Sequence, residues 1–202
     1  GYPSPTSFIK AMFYWVQHCF IRPGFIVVRA KGGLGGLQDA WILSTHLVVS
    51  KPSTDHNSKR LAQVQYMNTI LAQHMICEAS TSCKESNTSD EPFIMIAGDF
   101  NAPSSSPEIL FMGSSGFTDT CEPGPITLSW LVEPKISFRT WDRKLNPYTE
   151  SDLYEPDNRL DYIFFAGKDI SCVKTERVFD GITLPLVSDH FGVISTLELR
   201  HN

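Results

Sequence analysis

The stretch IMIAGDFNAPSSSP, residues 94–107, starts apolar and ends in a polar turn. Phe93–Ala97 is short and apolar, which reads as a strand. The strand runs straight into Gly98, Asp99, Phe100 and Asn101. Alternation turns Asp99 and Asn101 to one side and Phe100 to the other, into the core. A carboxylate and an amide on one face can orient a water and bind a phosphate oxygen. Taken alone, the segment is as readily an Asx turn closing the strand. Beyond it, Ser106-Pro107-Glu108 opens a short helix, with Ser as cap, Pro at the first helical position and Glu complementing the dipole. Gly113 and Gly116 end that helix.

Further strands are expected at Phe25–Ala30, Trp41–Leu47, Tyr162–Ala166, Val173–Phe179 and Val193–Leu199, all short and rich in β-branched or aromatic residues. Between the second and third strands, Ser58–Cys77 places Leu61, Val64, Ile70, Leu71 and Met75 at helical spacing. Lys31–Gly36 reads as a glycine-rich turn, and it is no phosphate loop, since it lacks the GK[ST] ending and precedes a strand. Ala79–Glu91 reads as a surface loop. With no internal repeat and no linker, one domain over 1–202 is expected. Strands with only a few helices fit an α/β or α+β layered domain better than an all-β sandwich.

Three more polar clusters sit at strand ends, where layered folds place catalytic groups. In WILSTHLVV, His46 closes a buried strand; a lone His there is more often a satisfied core residue. In PDNRLDYIFF, Asp161 opens an aromatic strand, with Arg159 on the same side two residues earlier and available as an ion-pair partner. In PLVSDHFGVIS, Asp189 and His190 stand directly before a strand. Singly, each has a bland explanation. Together they present Asp, Asn and His groups that can converge on a divalent cation, an activated water and an imidazole beside a phosphoryl group.

The ordered series STHL, GDFNA, RLDYIF and SDHFGV resembles the later motifs of the endonuclease/exonuclease/phosphatase superfamily, over about Lys31 to Leu199. The resemblance implies an α+β fold, a four-layer α/β/β/α sandwich of the deoxyribonuclease I-like type. It also implies hydrolysis of a phosphate ester by activated water with Mg2+, or alternatively Mn2+. By motif, Asp99 orients or deprotonates the water, Asn101 contacts the phosphate, and Asp189 holds the metal together with Asp99 and Asn101. His190, paired with Asp161, contacts the phosphate or moves a proton, and His46 stabilises the transition state. The superfamily pattern has an earlier Asn and a metal-binding Glu; neither is found between Gly1 and Lys31, so the expectation is a domain lacking its N-terminal strands. Asn158-Arg159-Leu160-Asp161 disfavours the inositol-phosphatase branch, whose members carry Trp-Cys-Asp-Arg there. The Thr140-Trp141-Asp142 and Asn146-Pro147 pairings are similar to sphingomyelinase-like members. The substrate is then a phospholipid head group, with nucleic acid (a nuclease or deadenylase) as the alternative and an inactive remnant or binding module as a third reading.

Composition sets the outer bounds. With 42% hydrophobic and 19% charged residues the chain is a globular protein able to build a core. Its net charge of −5 gives a polyanion no broad attraction, although acidic residues gathered around a cation would lower the charge as well. Five scattered cysteines without zinc spacing read as reduced thiols, with a Cys77–Cys83 bridge open. A sequon at Asn87 would suit a secreted protein; a cytoplasmic one is marginally favoured. Phe8–Ile21 is apolar but interrupted by Lys10, Gln17 and His18 and too short to span a bilayer, so no transmembrane segment is expected. The oligomeric state is left open.

Overall fold

The computed structural model describes residues 24–34, 37–49, 57–81, 92–121, 139–142, 144–148 and 159–199. Its elements run in the order β1 (Gly24–Leu34), β2 (Leu37–His46), α1 (Asn57–Thr81), β3 (Phe93–Asp99), α2 (Pro107–Ser114), β4 (Thr118–Asp119), β5 (Asp161–Ala166), β6 (Ile170–Val178) and β7 (Gly192–Leu199). β1 to β5 form one sheet in the order β1-β2-β3-β5-β4, and β6 and β7 form a second. β1 and β2 are an antiparallel pair, α1 lies between the parallel strands β2 and β3, and β5 returns antiparallel beside β3.

Both faces of the large sheet are covered, which is why its strands read as nearly continuous apolar runs. One face carries Leu43, Ile96, Tyr162 and Phe164 against Val64, Met67 and Leu71 of α1 and Ile109 and Met112 of α2. The other carries Ala40, Phe93 and Phe165, which pack with Ile170, Cys172 and Leu197 of the second sheet. The described residues thus form α, β and β layers of an α+β fold.

Several sequence expectations change in detail. Lys31–Gly36 is not simply a turn: β1 runs to Leu34, with its register breaking between Lys31 and Leu34, where Gly32 and Gly33 lie. α1 continues past Cys77 to Thr81. Two-residue β4 is too short to show periodicity and exists because it pairs with Phe164 and Phe165 of β5. Ser106 stands at the N-cap of α2 but its side chain makes no capping hydrogen bond. Glu108 lies in the first turn of α2 as expected, and it is fully buried and ion-paired with the buried Arg60 of α1. Phe8–Ile21, Asn87, Cys83 and the side chain of Cys77 lie outside the described residues. Cys121 and Cys172 are free thiols, and burial pushes Cys121 up to about 11, which leaves it a poor nucleophile.

The Arg60–Glu108 pair ties the two helices together from inside. Removing one partner strands the other charge in the core, so Glu108→Ala is expected to cost about 3–5 kcal/mol. Replacing both groups with Met and Leu should cost much less. Urea unfolding of the three variants checks this, and a Glu108→Ala loss no larger than that of the double variant would contradict it.

Candidate active site

Strand register builds the site. In the parallel pair β2–β3, His46 is opposite Asp99, and in the antiparallel pair β3–β5, Asp99 is opposite Asp161. His46, Asp99 and Asp161 therefore form one row across three neighbouring strands at one end of the sheet. By alternation all three share the face of Ala40, Phe93 and Phe165, the face covered by β6 and β7. The loop entering β7 carries Ser188, Asp189 and His190 onto that row. His46, Asp99, Asn101, Asp161, Asp189 and His190 together line a cleft of about 410 Å3, whose wall also includes Trp141 and Ser188. The structure brings all six sequence-derived candidates to one place.

His190 Nδ1 lies 2.7 Å from Asp161 Oδ2. Nε2 of His190 lies 3.9 Å from Asp99 Oδ2, and Nε2 of His46 lies 3.5 Å from the same oxygen. Burial by itself would lower the His190 pKa, but the hydrogen bond to Asp161, its charge, and the charges of Asp99 and Asp189 outweigh this and push it up to about 9. In the metal-free protein this favours the protonated imidazole at neutral pH. His46 is not the buried core residue that its strand position favours: its side chain is 69% exposed at the rim.

Asn101 closes an Asx turn and lines the cleft. Its backbone N–H donates to Asp99 Oδ1 at 2.7 Å, the bond of an Asx turn, while its side-chain Nδ2 donates to Leu47 O at 2.9 Å and holds the amide at the cleft. The residue sits at φ 48°, which Asn tolerates better than most. Gly98 is required for another reason. At φ 147° it passes so close to β2 that an added Cβ would lie 1.9 Å from the Thr45 carbonyl oxygen. Gly98→Ala must push β2 and β3 apart directly beneath Asp99, and a loss on the order of 3 kcal/mol or more is expected from such a clash. Thermal unfolding of the variant checks this; an unchanged Tm would show that the strands can part at no cost.

Arg159 departs from the sequence expectation. The chain before Asp161 is not strand, so alternation does not carry back to it. Its guanidinium is buried, paired with Asp119 and stacked 4.2 Å from the centre of the Tyr162 ring. Tyr162 in turn donates its hydroxyl to the carbonyls of Ala102 and Arg159 at 2.8 and 2.9 Å. This network braces the floor of the cleft without entering it. Trp141, which packs its edge against the His190 ring at 4.8 Å, was noted in the sequence only as part of a motif.

Three carboxylates on one small cleft repel one another unless a cation offsets them. Ligand-type atoms of Asp99, Asp161 and His190 lie within 4.8 Å of one another. Asp189 lines the same cleft but accepts a hydrogen bond from Ser188 Oγ at 3.0 Å, outside that tight set. Asp99, Asp161 and His190 are thus the close set of ligand-type groups among the described residues, while Asn101 and Asp189 line the same cleft, and carboxylate oxygens beside an imidazole are a donor set that fits a divalent cation.

No protein-family model matches this chain, and no curated protein matches it either. Solved structures do. The D. rerio TDP2 complexed with a single-stranded DNA product superposes with a TM-score of 0.56 at 17% identity, over 90% of this chain and 64% of that one. An endonuclease/exonuclease/phosphatase family protein from Leptotrichia buccalis gives 0.50 at 20% identity, over 86% of this chain and 53% of that one. The human Nocturnin catalytic domain with bound sulfate gives 0.50 at 18%, over 88% and 61%. The fold is that of the endonuclease/exonuclease/phosphatase, or deoxyribonuclease I-like, class. The chain spans between 53% and 64% of the lengths of these three structures.

Proposed function

We propose that this protein is a divalent-metal-dependent hydrolase that cleaves a phosphodiester with activated water. The observation that carries this reading is the row His46–Asp99–Asp161, met by His190 at 2.7 Å from Asp161. Asp99 takes the proton of the attacking water as its oxygen bonds to phosphorus and the ester P–O bond breaks. His190, held by Asp161 through Nδ1, keeps Nε2–H for a phosphoryl oxygen, and His46 approaches the same group from the rim. Asn101 contacts the phosphate through its amide. Asp99, Asn101 and Asp189 would hold Mg2+, or Mn2+, which when bound supplies positive charge to the phosphoryl oxygens and acidifies water.

For the substrate, the loop between β6 and β7 favours a lipid phosphodiester of the sphingomyelinase type. Asp180 accepts from the backbone of Thr183 and Ile182, and these bonds pull it down to about 2 despite some burial. The loop is thus preformed, and it exposes Ile182, Leu184 and Val187 at 86%, 44% and 68%, immediately before Ser188. Aliphatic tips suit acyl chains; the loop has a single exposed aromatic ring, Phe179, and residues 179–187 contain no Lys or Arg to meet a phosphate backbone. Among the described residues no helix is long and apolar enough to cross a membrane. The nuclease reading has its own support in the likeness to a TDP2 structure bound to DNA product.

The test is a Mg2+-supplemented panel of sphingomyelin vesicles, single-stranded oligonucleotides and inositol phosphates. Release of phosphorylcholine, abolished by chelator, is the expected result. Cleavage of the oligonucleotide alone would transfer the assignment to a nuclease, and turnover that persists in excess chelator would overturn the metal-dependent mechanism.

A further inference from the structure

We propose that Thr140 is a positioning residue that sets the geometry of the Asp161–His190 pair, an inference that rests on the hydrolase reading above. Thr140 is only 1% exposed, so it touches no substrate. Its Oγ1 accepts the backbone N–H of Leu160 at 2.9 Å and of Asp161 at 3.1 Å. Its carbonyl oxygen accepts the N–H of Phe191, the residue after His190, at 2.8 Å. One buried residue therefore clamps the backbone on both sides of the 2.7 Å contact.

The sheet explains why a side chain is needed there. β5 is held to β3 through Asp161 opposite Asp99, and Phe100 N–H donates to Leu160 O at 2.9 Å. β4 reaches only Phe164 and Phe165, so it does not extend to the start of β5. The Thr140 hydroxyl supplies the missing acceptor for two consecutive amides at that point. The segment around Thr140 also reaches His190 by two other routes: Trp141 packs against its ring, and Asn146 Nδ2 donates to Ser188 O at 2.9 Å. Loss of the hydroxyl frees the start of β5 while removing no cleft-lining side chain. A shift near 1 Å in a catalytic contact costs on the order of 10²-fold in rate.

The experiment compares the full chain with Thr140→Val and Thr140→Ser. Two readouts are taken at one pH: kcat and KM with Mg2+ on the phosphodiester that the wild type cleaves, and, with and without Mg2+, the ring-nitrogen NMR shift of His190 Nδ1, assigned by its loss in His190→Gln. Thr140→Val is expected to lower kcat on the order of 10²-fold with KM within about twofold, and to move the Nδ1 shift; Thr140→Ser is expected to restore both. An unmoved shift and unchanged kcat in a folded Thr140→Val protein would overturn the proposal. If the valine variant does not fold, Thr140→Ser decides, because it keeps the hydroxyl and loses the methyl: retention of shift and kcat supports the clamp, and loss of either refutes it. A wild type inactive on every phosphodiester, whose Nδ1 shift still moves in Thr140→Val and returns in Thr140→Ser, would remove the hydrolase reading while leaving the clamp standing.

Discussion

Removing either half of the Asp161–His190 pair is expected to lower kcat/KM on the order of 10²- to 10⁴-fold, and removing both is expected to cost little more than removing one. The reason lies in the geometry. Asp161 touches the reaction through the imidazole it holds at 2.7 Å. Asp161→Ala leaves His190 without the partner that fixes its ring and sustains its positive charge, so the remaining imidazole is neither aimed nor charged in the same way. His190→Ala leaves a carboxylate with nothing to orient. In both single variants the oriented imidazole beside the phosphoryl group is lost, and the second change has little left to remove. The measurement is a double-mutant cycle on kcat/KM with the substrate identified in the panel. Strictly additive losses would show that the two residues act independently and that the contact is incidental.

The second large effect is expected at Asp99, where replacement by Asn or Ala should lower kcat on the order of 10³-fold with no rescue by added Mg2+. Asp99 is the one residue that meets the others from every side. It is opposite both His46 and Asp161 in the sheet, its Oδ2 faces both imidazoles, and its Oδ1 accepts the Asn101 N–H. Asp99→Asn keeps an acceptor for that turn and removes only the charge and the basicity, so a loss as large as that of Asp99→Ala would assign the effect to the carboxylate. Asp189→Ala should behave differently. It sits outside the tightest cluster, and its variant should need more Mg2+ but recover part of its turnover when the ion is supplied. Removing one of three crowded carboxylates should also leave the metal-free protein as stable as the wild type or more so, the usual trade between active-site electrostatics and stability. Kinetics titrated with Mg2+ alongside thermal unfolding checks both halves. Turnover near that of the wild type in Asp99→Ala would end the water-activation reading.

The sequence by itself determined the elements and the list of polar groups. Short apolar runs rich in β-branched or aromatic residues fall within a few residues of β1, β2, β3, β5, β6 and β7, and a helical stripe marks α1, because strand composition and helical spacing are local consequences of backbone geometry. The positions of Asp99, Asn101, Asp161, Asp189, His190 and His46 were legible for the same reason: each follows or precedes an apolar run whose end can be read from neighbours in the chain. Register was not legible. That His46 stands opposite Asp99, and Asp99 opposite Asp161, depends on which strands pair and in which direction, and residues 53 and 62 positions apart carry no local signal of it. The exposed rim position of His46, the turning of Arg159 inward to Asp119, the burial of Glu108 against Arg60 and the existence of β4 all followed from neighbours distant in sequence. Thr140 shows the limit most plainly. A threonine beside a tryptophan has no mark of function, and only the tertiary structure, by closing β5 against it on one side and β7 on the other, turned its hydroxyl and carbonyl into the two acceptors on which the Asp161–His190 contact rests, since a hydrogen bond is decided by where the chain returns and not by what precedes it.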